Sequence, residues 1–146
     1  MKKRIIAVVV VIGLMFPIVY QFIMTKDWHR YEESFDMSLP SQMIELYTLK
    51  PQDQWFGDGL RYEVYEVKSY TDEFDQFDKI KSLEFEKEMS NYIDEIEAQN
   101  QESVDNDYLP RFNDEYWFKT FKKNNTELLL CYEVNSKQLK IMYSKI

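Results

Sequence analysis

An apolar run near the N-terminus constrains this chain more than any other feature. The 20 residues from Ile5 to Met24 include one strongly polar side chain, Gln21. At about 1.5 Å per residue, a helix of that length extends about 30 Å, the thickness of a bilayer's hydrocarbon core. Backbone groups in lipid must pair internally, so we expect this segment to be helical. The sequence thus predicts a membrane anchor over residues 1–24, with a span of about 5–24.

The flanks of the apolar run predict its processing and orientation. Residues 21–26, at the C-terminal end of the run, lack the small residues of a signal-peptidase cleavage site, so we expect an uncleaved signal anchor. Three cations (Lys2, Lys3 and Arg4) precede the span, against Lys26 and Arg30 after it. This bias and the short N-terminal tail predict a single-pass protein of the cell membrane. Its N-terminus would be cytoplasmic, residues 25–39 juxtamembrane, and residues 40–146 an extracytoplasmic domain.

Charge and rare residues exclude several functional classes. The formal net charge is −8, and it includes the three cations of the N-terminal tail, so the rest of the chain carries −11. Nucleic acids are bound through summed Lys and Arg contacts, so no nucleic-acid partner is expected. A single cysteine and a single histidine argue against disulfides, zinc centres and most acyl-transfer triads. We expect no cofactor, no metal and no catalytic residue.

The remaining pattern predicts an α+β fold with one antiparallel sheet in the order ββαβββ and an amphipathic helix on one face. The strands are expected at residues 43–49, 60–68, 115–122, 127–134 and 138–143, with a helix opened by Pro40 as the alternative for the first. Turns are expected at Asn124-Asn125 and Asn135-Ser136. The helix is expected over about 78–99, with apolar positions at Ile80, Leu83, Phe85, Met89, Tyr92, Ile93 and Ile96.

Two aromatic sequences contain the candidate contact residues. In Trp55-Phe56-Gly57-Asp58-Gly59, the glycines allow a tight turn that would present Asp58 beside Trp55 and Phe56. The alternative is that this turn is purely structural. In Tyr116-Trp117-Phe118, aromatic side chains point to both faces of one strand, so Trp117 is free to contact a partner or a saccharide unless the helix or loops cover it.

Other chemical candidates have ordinary structural explanations. The acidic residues Asp72, Glu73, Asp75 and Asp78 lack the glycine and terminal glutamate of an EF-hand loop, and we interpret them as a helix N-terminus. Cys131 lies in an apolar strand and is expected to be a buried, inert thiol.

The order of these features resembles a group of small proteins. An apolar anchor is followed by the Gly57-Asp58-Gly59 turn, a strand, a helix, Leu109-Pro110 before an aromatic strand, and a closing hairpin rich in Leu and Tyr. This resembles the small, uncharacterised membrane-anchored or lipoprotein-type extracytoplasmic proteins of low-GC Gram-positive bacteria. The chain departs from the lipoprotein form because no cysteine lies near its apolar segment. The resemblance covers about residues 40–146 and implies a location and a fold type, with no functional residue.

Three functions agree with the sequence. The leading hypothesis is a membrane-anchored extracytoplasmic binding domain, envelope-associated or immunity-like, whose partner is a protein or the cell wall. Its contact residues would be Trp55, Phe56, Asp58 and Trp117. The first alternative is an acid-dependent hydrolase of the cell envelope that uses a carboxylate such as Asp58. The second is a structural or assembly protein that acts through its transmembrane helix.

The orientation is tested with a protease-sensitive tag after Ile146. We expect protease added to intact cells to remove the tag, because the predicted topology places residues 40–146 outside the membrane. A cytoplasmic protein with the same tag serves as the control and should stay intact. A tag that is cut only after lysis would reverse the predicted orientation.

Overall fold

The computed structural model describes residues 28–51 and 59–145. The chain divides into two compact units, Met1–Leu39 and Pro40–Ile146, which are taken separately below. In the part of the chain that the structure describes, no helix is long and apolar enough to cross a membrane. The predicted anchor at residues 5–24 lies outside the described residues.

In the first unit, helix α1 spans His29–Phe35 and ends at Asp36, whose φ of 51° is left-handed. Glu32 holds the segment that follows. Its backbone oxygen accepts a hydrogen bond from the Met37 amide at 3.2 Å, and its Oε1 accepts one from the Leu39 amide at 2.7 Å. His29 Nδ1 lies 2.8 Å from Glu32 Oε2. The single histidine of the chain is therefore in a local structural contact.

The second unit is one antiparallel sheet with a helix, and the predicted ββαβββ order and α+β class are confirmed. The strands lie in the spatial order β1-β2-β5-β4-β3. The helix α2 spans Leu83–Asn100, and a short 3₁₀ helix precedes it at Asp72–Gln76. The strands are β1 at Met43–Leu49, β2 at Gly59–Val67, β3 at Tyr116–Lys123, β4 at Thr126–Glu133 and β5 at Gln138–Lys145.

Each of the two hairpin turns contains a residue with left-handed backbone, and the sequence predicts that position in one turn but not in the other. Asn124, in the β3–β4 turn, has a φ of 55°, as expected for a tight hairpin. In the β4–β5 turn the positive φ falls on Lys137, not on the predicted Asn135-Ser136 pair. Gly59, the first residue of β2, has a φ of 94°, where the absence of Cβ removes the steric penalty.

Helix α2 begins five residues later than its apolar pattern predicts. The Ser82 hydroxyl accepts a hydrogen bond from the Phe85 amide at 3.2 Å and so caps the first turn. Upstream, the backbone of Asp78 exchanges two hydrogen bonds with Phe118, at 2.8 and 2.9 Å. These bonds hold residue 78 in extended pairing with β3, so the helix cannot begin there.

The core lies between α2 and one face of the sheet. Strand alternation puts Tyr62, Leu129 and Met142 on that face, on neighbouring strands. All three are essentially inaccessible to solvent. The buried residues of α2 that pack there recur at helical spacing and are Phe85, Met89, Ile93 and Ile96.

Two residues of the predicted apolar stripe are not in this core. Ile80 and Leu83 are 85% and 83% exposed. Ile80 precedes the helix, and Leu83 is its first residue, before the stripe reaches the sheet. The prediction that both side chains pack inward is therefore wrong. The late start of α2 leaves Ile80 outside the helix, whereas Leu83 lies two residues from Phe85, about 200° around the helix, and so faces away from the core.

A buried ion pair closes the end of the β4–β5 hairpin. Lys140 Nζ lies 2.6 Å from Glu133 Oε1, with the two residues 0% and 2% exposed. The Arg111 amide donates to Glu133 Oε1 at 2.7 Å, and the Ser136 hydroxyl donates to Oε2 at 2.8 Å. Burial lowers the pKa of Lys140, and the ion pair opposes that effect. Loss of either partner would leave a buried charge without compensation.

Glu133→Gln tests this arrangement because it removes the countercharge of Lys140 and keeps the shape. We expect a loss of about 3 kcal/mol in the free energy of unfolding, measured by urea denaturation of the full chain in detergent micelles. Adding Lys140→Met should recover most of that loss, because no buried charge then remains. The control is Glu66→Gln, which breaks the exposed Lys68–Glu66 pair (2.7 Å) and should cost about 0–1 kcal/mol. Equal losses from both glutamine variants would contradict the prediction.

Candidate functional site

The structure describes one of the four predicted contact residues. Trp55, Phe56 and Asp58 lie outside the described residues, which resume at Gly59. Trp117 lies on β3, at the edge of the sheet, and is half-buried. Its neighbours Tyr116 and Phe118 pack against the α2 core on one face. Because alternate residues of a strand point to opposite faces, Trp117 belongs to the other face.

Trp117 is part of a cluster of aromatic rings that reaches the surface. Tyr70 meets it edge to face, with ring centroids 5.9 Å apart and an interplanar angle of 90°. Tyr132, opposite Trp117 on β4, has its centroid at 5.7 Å, and the buried Phe74 stacks on Tyr132 at 4.0 Å. Tyr70 is 54% exposed. We call Tyr70 and Trp117 the aromatic surface; Tyr132, which is 4% exposed, supports it from the interior.

Polar groups border the aromatic surface. Lys79 Nζ lies 4.4 Å from the centre of the Trp117 ring, a cation–π contact. The Trp117 indole donates a hydrogen bond to Glu115 Oε1 at 3.3 Å, and the Tyr70 hydroxyl donates to Asp75 Oδ1 at 2.6 Å. These contacts restrict the rings to fixed orientations. The surface therefore combines apolar ring faces with orienting charges, as protein-binding and saccharide-binding surfaces do.

Trp117 and the beginning of β2 lie at opposite ends of the sheet. Across the strands, Trp117 is in register with Tyr132, Leu139 and Tyr65 in turn. Gly59 precedes Tyr65 by six residues, which is about 20 Å along a strand. β5 and β4 lie between β2 and β3. The structure thus does not bring Trp117 together with the strand that follows Asp58.

The Gly59 end of the sheet holds a polar cavity of about 320 Å³. Tyr92 of α2 donates a hydrogen bond to Glu127 Oε2 of β4 at 2.5 Å. Lys122 of β3 joins Glu127 to Glu88 of α2, with a distance of 2.9 Å to Glu88 Oε1. Asn124, Asn125, Thr126 and Ser144 complete the lining. This network ties α2 to β3 and β4 by hydrogen bonds and ion pairs rather than by apolar packing.

The network fixes the charges of Tyr92, Lys122 and Glu127. Burial and the hydrogen bond to Glu127 raise the pKa of Tyr92 to about 12. Hydrogen bonds to Glu127 and Glu88 raise the pKa of Lys122. Burial alone would raise the pKa of Glu127, but hydrogen bonds from Lys122 and Tyr92 outweigh burial and lower it. At neutral pH, Glu127 is therefore an ionised acceptor and not a proton donor.

Cys131 is buried in the core, as expected. Its residue exposure is 0%, and burial raises the pKa of its thiol to about 12. A thiol of this kind is protonated at neutral pH and is not a nucleophile. Within residues 28–51 and 59–145, no group of three or more His, Cys, Asp and Glu side chains is arranged to hold a metal ion.

Sequence reasoning missed the neighbours of Trp117. Tyr70 and Lys79 come from the segment between β2 and α2, Tyr132 comes from β4, and only the folded chain brings them beside Trp117. The alternation within Tyr116-Trp117-Phe118 did indicate that Trp117 faces away from its neighbours. No sequence pattern predicted the neighbours of Trp117, because the path of residues 70–79 beside β3 depends on the backbone bridge between Asp78 and Phe118.

The described residues thus define an α+β domain with an aromatic surface on an edge strand. Comparisons with protein-family models, with curated proteins and with solved structures find no match to this chain.

Tyr92→Phe tests the polar network. A pKa raised from 10.0 to about 12 means that the fold favours the neutral phenol. This stabilisation is complete below pH 10 and is lost as the pH rises toward 12. The variant should cost about 1 kcal/mol at neutral pH and show a smaller decline in the free energy of unfolding between pH 10 and 12. Tyr108→Phe, whose hydroxyl makes no hydrogen bond within the described residues, is the control. Equal alkaline declines in the two variants would contradict the assignment.

Proposed function

We propose that this chain is a single-pass, membrane-anchored binding domain of the cell envelope, with residues 40–146 outside the membrane. Its partner, a protein or the cell wall, docks on the aromatic surface. The observation that carries the proposal is the edge-to-face pair of Trp117 and Tyr70 on the sheet face opposite α2, with Tyr70 54% exposed.

The rings of the aromatic surface support a binding role by their chemistry. Trp and Tyr dominate the energetics of protein interfaces because they bury much apolar area at little cost in side-chain entropy. Contacts with Lys79, Glu115 and Asp75 hold these two rings in place before any partner arrives. Preorganisation of this kind lowers the entropic cost of association.

The location is supported by the sequence. The apolar run at residues 5–24 has the length of a membrane span, and its cationic N-terminal flank favours a cytoplasmic N-terminus. A domain held at the membrane outside the cell meets envelope proteins, wall polymers and incoming protein toxins. The hydrolase and assembly hypotheses depend on Asp58 and on residues 5–24, which lie outside the described residues, and no described contact favours either.

The proposal is tested by photocrosslinking in intact cells with p-benzoylphenylalanine in place of Tyr70. We expect a discrete adduct with one protein or with wall material, because Tyr70 lies at the rim of the aromatic surface. Adding Trp117→Leu should weaken the association by about 2 kcal/mol, about thirtyfold, with the circular dichroism spectrum unchanged.

The matched control carries the same probe in place of Ile44, an exposed apolar residue on β1 at the opposite edge of the sheet. It should not form this adduct. The same adduct from both positions, or an adduct that Trp117→Leu leaves unchanged, would overturn the proposed site.

A further inference from the structure

Two large apolar side chains lie outside the core and closely follow Lys79, which contacts Trp117, in sequence. Ile80 and Leu83 are 85% and 83% exposed. The exposed apolar residues on β1, Ile44 and Leu46, are less so, at 49% and 37%. With Ser82 as the N-cap, a hydrophobic staple would join residues 81 and 86, so neither Ile80 nor Leu83 stabilises the helix end in that way. Exposure of these apolar side chains to water is unfavourable, and no hydrophobic staple at the helix N-terminus offsets it.

The two neighbouring lysines, Lys79 and Lys81, place their ammonium groups against other parts of the domain. Lys79 places its ammonium over the Trp117 ring at 4.4 Å. Lys81 donates hydrogen bonds to the backbone oxygens of Phe112 and Asn113, at 2.6 and 3.2 Å. Both cations thus lie against the domain, although they flank Ile80 in sequence.

Carboxylates flank the exposed pair in sequence. Asp78 and Glu84 are exposed, and neither forms an ion pair within the described residues. Residues 70–88 hold seven Asp and Glu against three Lys. We call Asp78, Ile80, Leu83 and Glu84 the Ile80–Leu83 surface. It combines exposed apolar groups with carboxylates in a segment that carries more acidic than basic side chains.

We propose that the Ile80–Leu83 surface docks a cationic amphipathic segment of a partner protein. The apolar side chains of such a segment would cover Ile80 and Leu83, and its Lys or Arg side chains would meet Asp78 and Glu84. The inference rests on the proposed binding function and names the kind of partner that it takes.

Charge complementarity selects this occupant over two others. A second copy of the chain would bring a like-charged surface, since the formal net charge is −8. A bacterial membrane surface rich in anionic lipid would be repelled by the same carboxylates. A segment with a positive polar face and an apolar face satisfies both parts of the surface at once.

The experiment uses the full chain in phosphatidylcholine nanodiscs, with empty nanodiscs as the lipid control. The probe is a fluorescent synthetic peptide of Leu and Lys at helical spacing, about 18 residues or five turns long. We expect saturable binding by fluorescence anisotropy, and none for the same peptide with Glu in place of Lys. The double variant Ile80→Ser/Leu83→Ser should bind about tenfold more weakly or worse.

Matched variants separate this surface from general effects. Ile44→Ser removes an exposed apolar side chain on the opposite edge of the sheet and should leave the affinity unchanged. Glu84→Gln should weaken binding and reduce its salt dependence, whereas Asp94→Asn, an exposed carboxylate farther along α2, should not. Equal effects within either pair, or no binding by the unsubstituted chain, would overturn the proposal.

Two further measurements distinguish the remaining outcomes. A bimane label on Leu83→Cys reports lipid contact through quenching by brominated lipid, and the buried Cys131 stays unlabelled. Quenching there would assign the surface to the membrane and overturn the docking proposal. If the Tyr70 crosslink persists in cells while the peptide does not bind, the occupant is wrong and the binding function stands. If the crosslink is also lost, the proposed function fails as well.

Discussion

The packing of α2 against one face of the sheet is the interaction on which the rest of the structure depends. Phe85, Met89 and Ile93 recur at helical spacing, and they meet strand residues that recur at a period of two. Once this face of β3 is committed to the core through Tyr116 and Phe118, Trp117 has to point to the other face. The aromatic surface is thus a consequence of the core and is not an independent element.

A core rich in tyrosine brings hydroxyl groups into an apolar space, and the structure pairs those of Tyr62 and Tyr116, whereas the buried Tyr47 hydroxyl has no hydrogen-bond partner among the described residues. The Tyr62 hydroxyl donates to the Tyr108 backbone oxygen at 2.6 Å. The Tyr116 hydroxyl donates to Glu86 Oε1 at 2.7 Å and accepts from the Ser82 amide at 3.1 Å. Burial and the bond to Glu86 raise the pKa of Tyr116 to about 12. These bonds tie the loop before β3 and the start of α2 to the sheet. The hydrogen bonds that pair the buried hydroxyls therefore also position the helix.

The same segment of chain links the two proposed contact surfaces. Between β2 and α2 it supplies Tyr70 to the aromatic surface, bonds to β3 at Asp78, and then exposes Ile80 and Leu83. Its backbone pairing with Phe118 fixes where the helix begins and therefore which apolar residues stay outside the core. A partner that contacts Trp117 would meet the Ile80–Leu83 surface as the adjoining part of this segment.

Local sequence patterns are enough to predict the order of elements and the interior of the domain. The alternation in β2 to β5 and the apolar stripe from Phe85 to Ile96 are local patterns, and each element buries its own apolar side. These patterns therefore predict the fold class, the order of helix and strands, and the burial of Cys131. Tertiary structure decided what depends on distant contacts: the start of α2 at Leu83, the left-handed residue at Lys137, the ion pair of Glu133 and Lys140, and the neighbours of Trp117. A periodic pattern shows which residues of an element share a face. It does not show where another segment ends that element or covers the face, because that depends on packing between residues far apart in the chain.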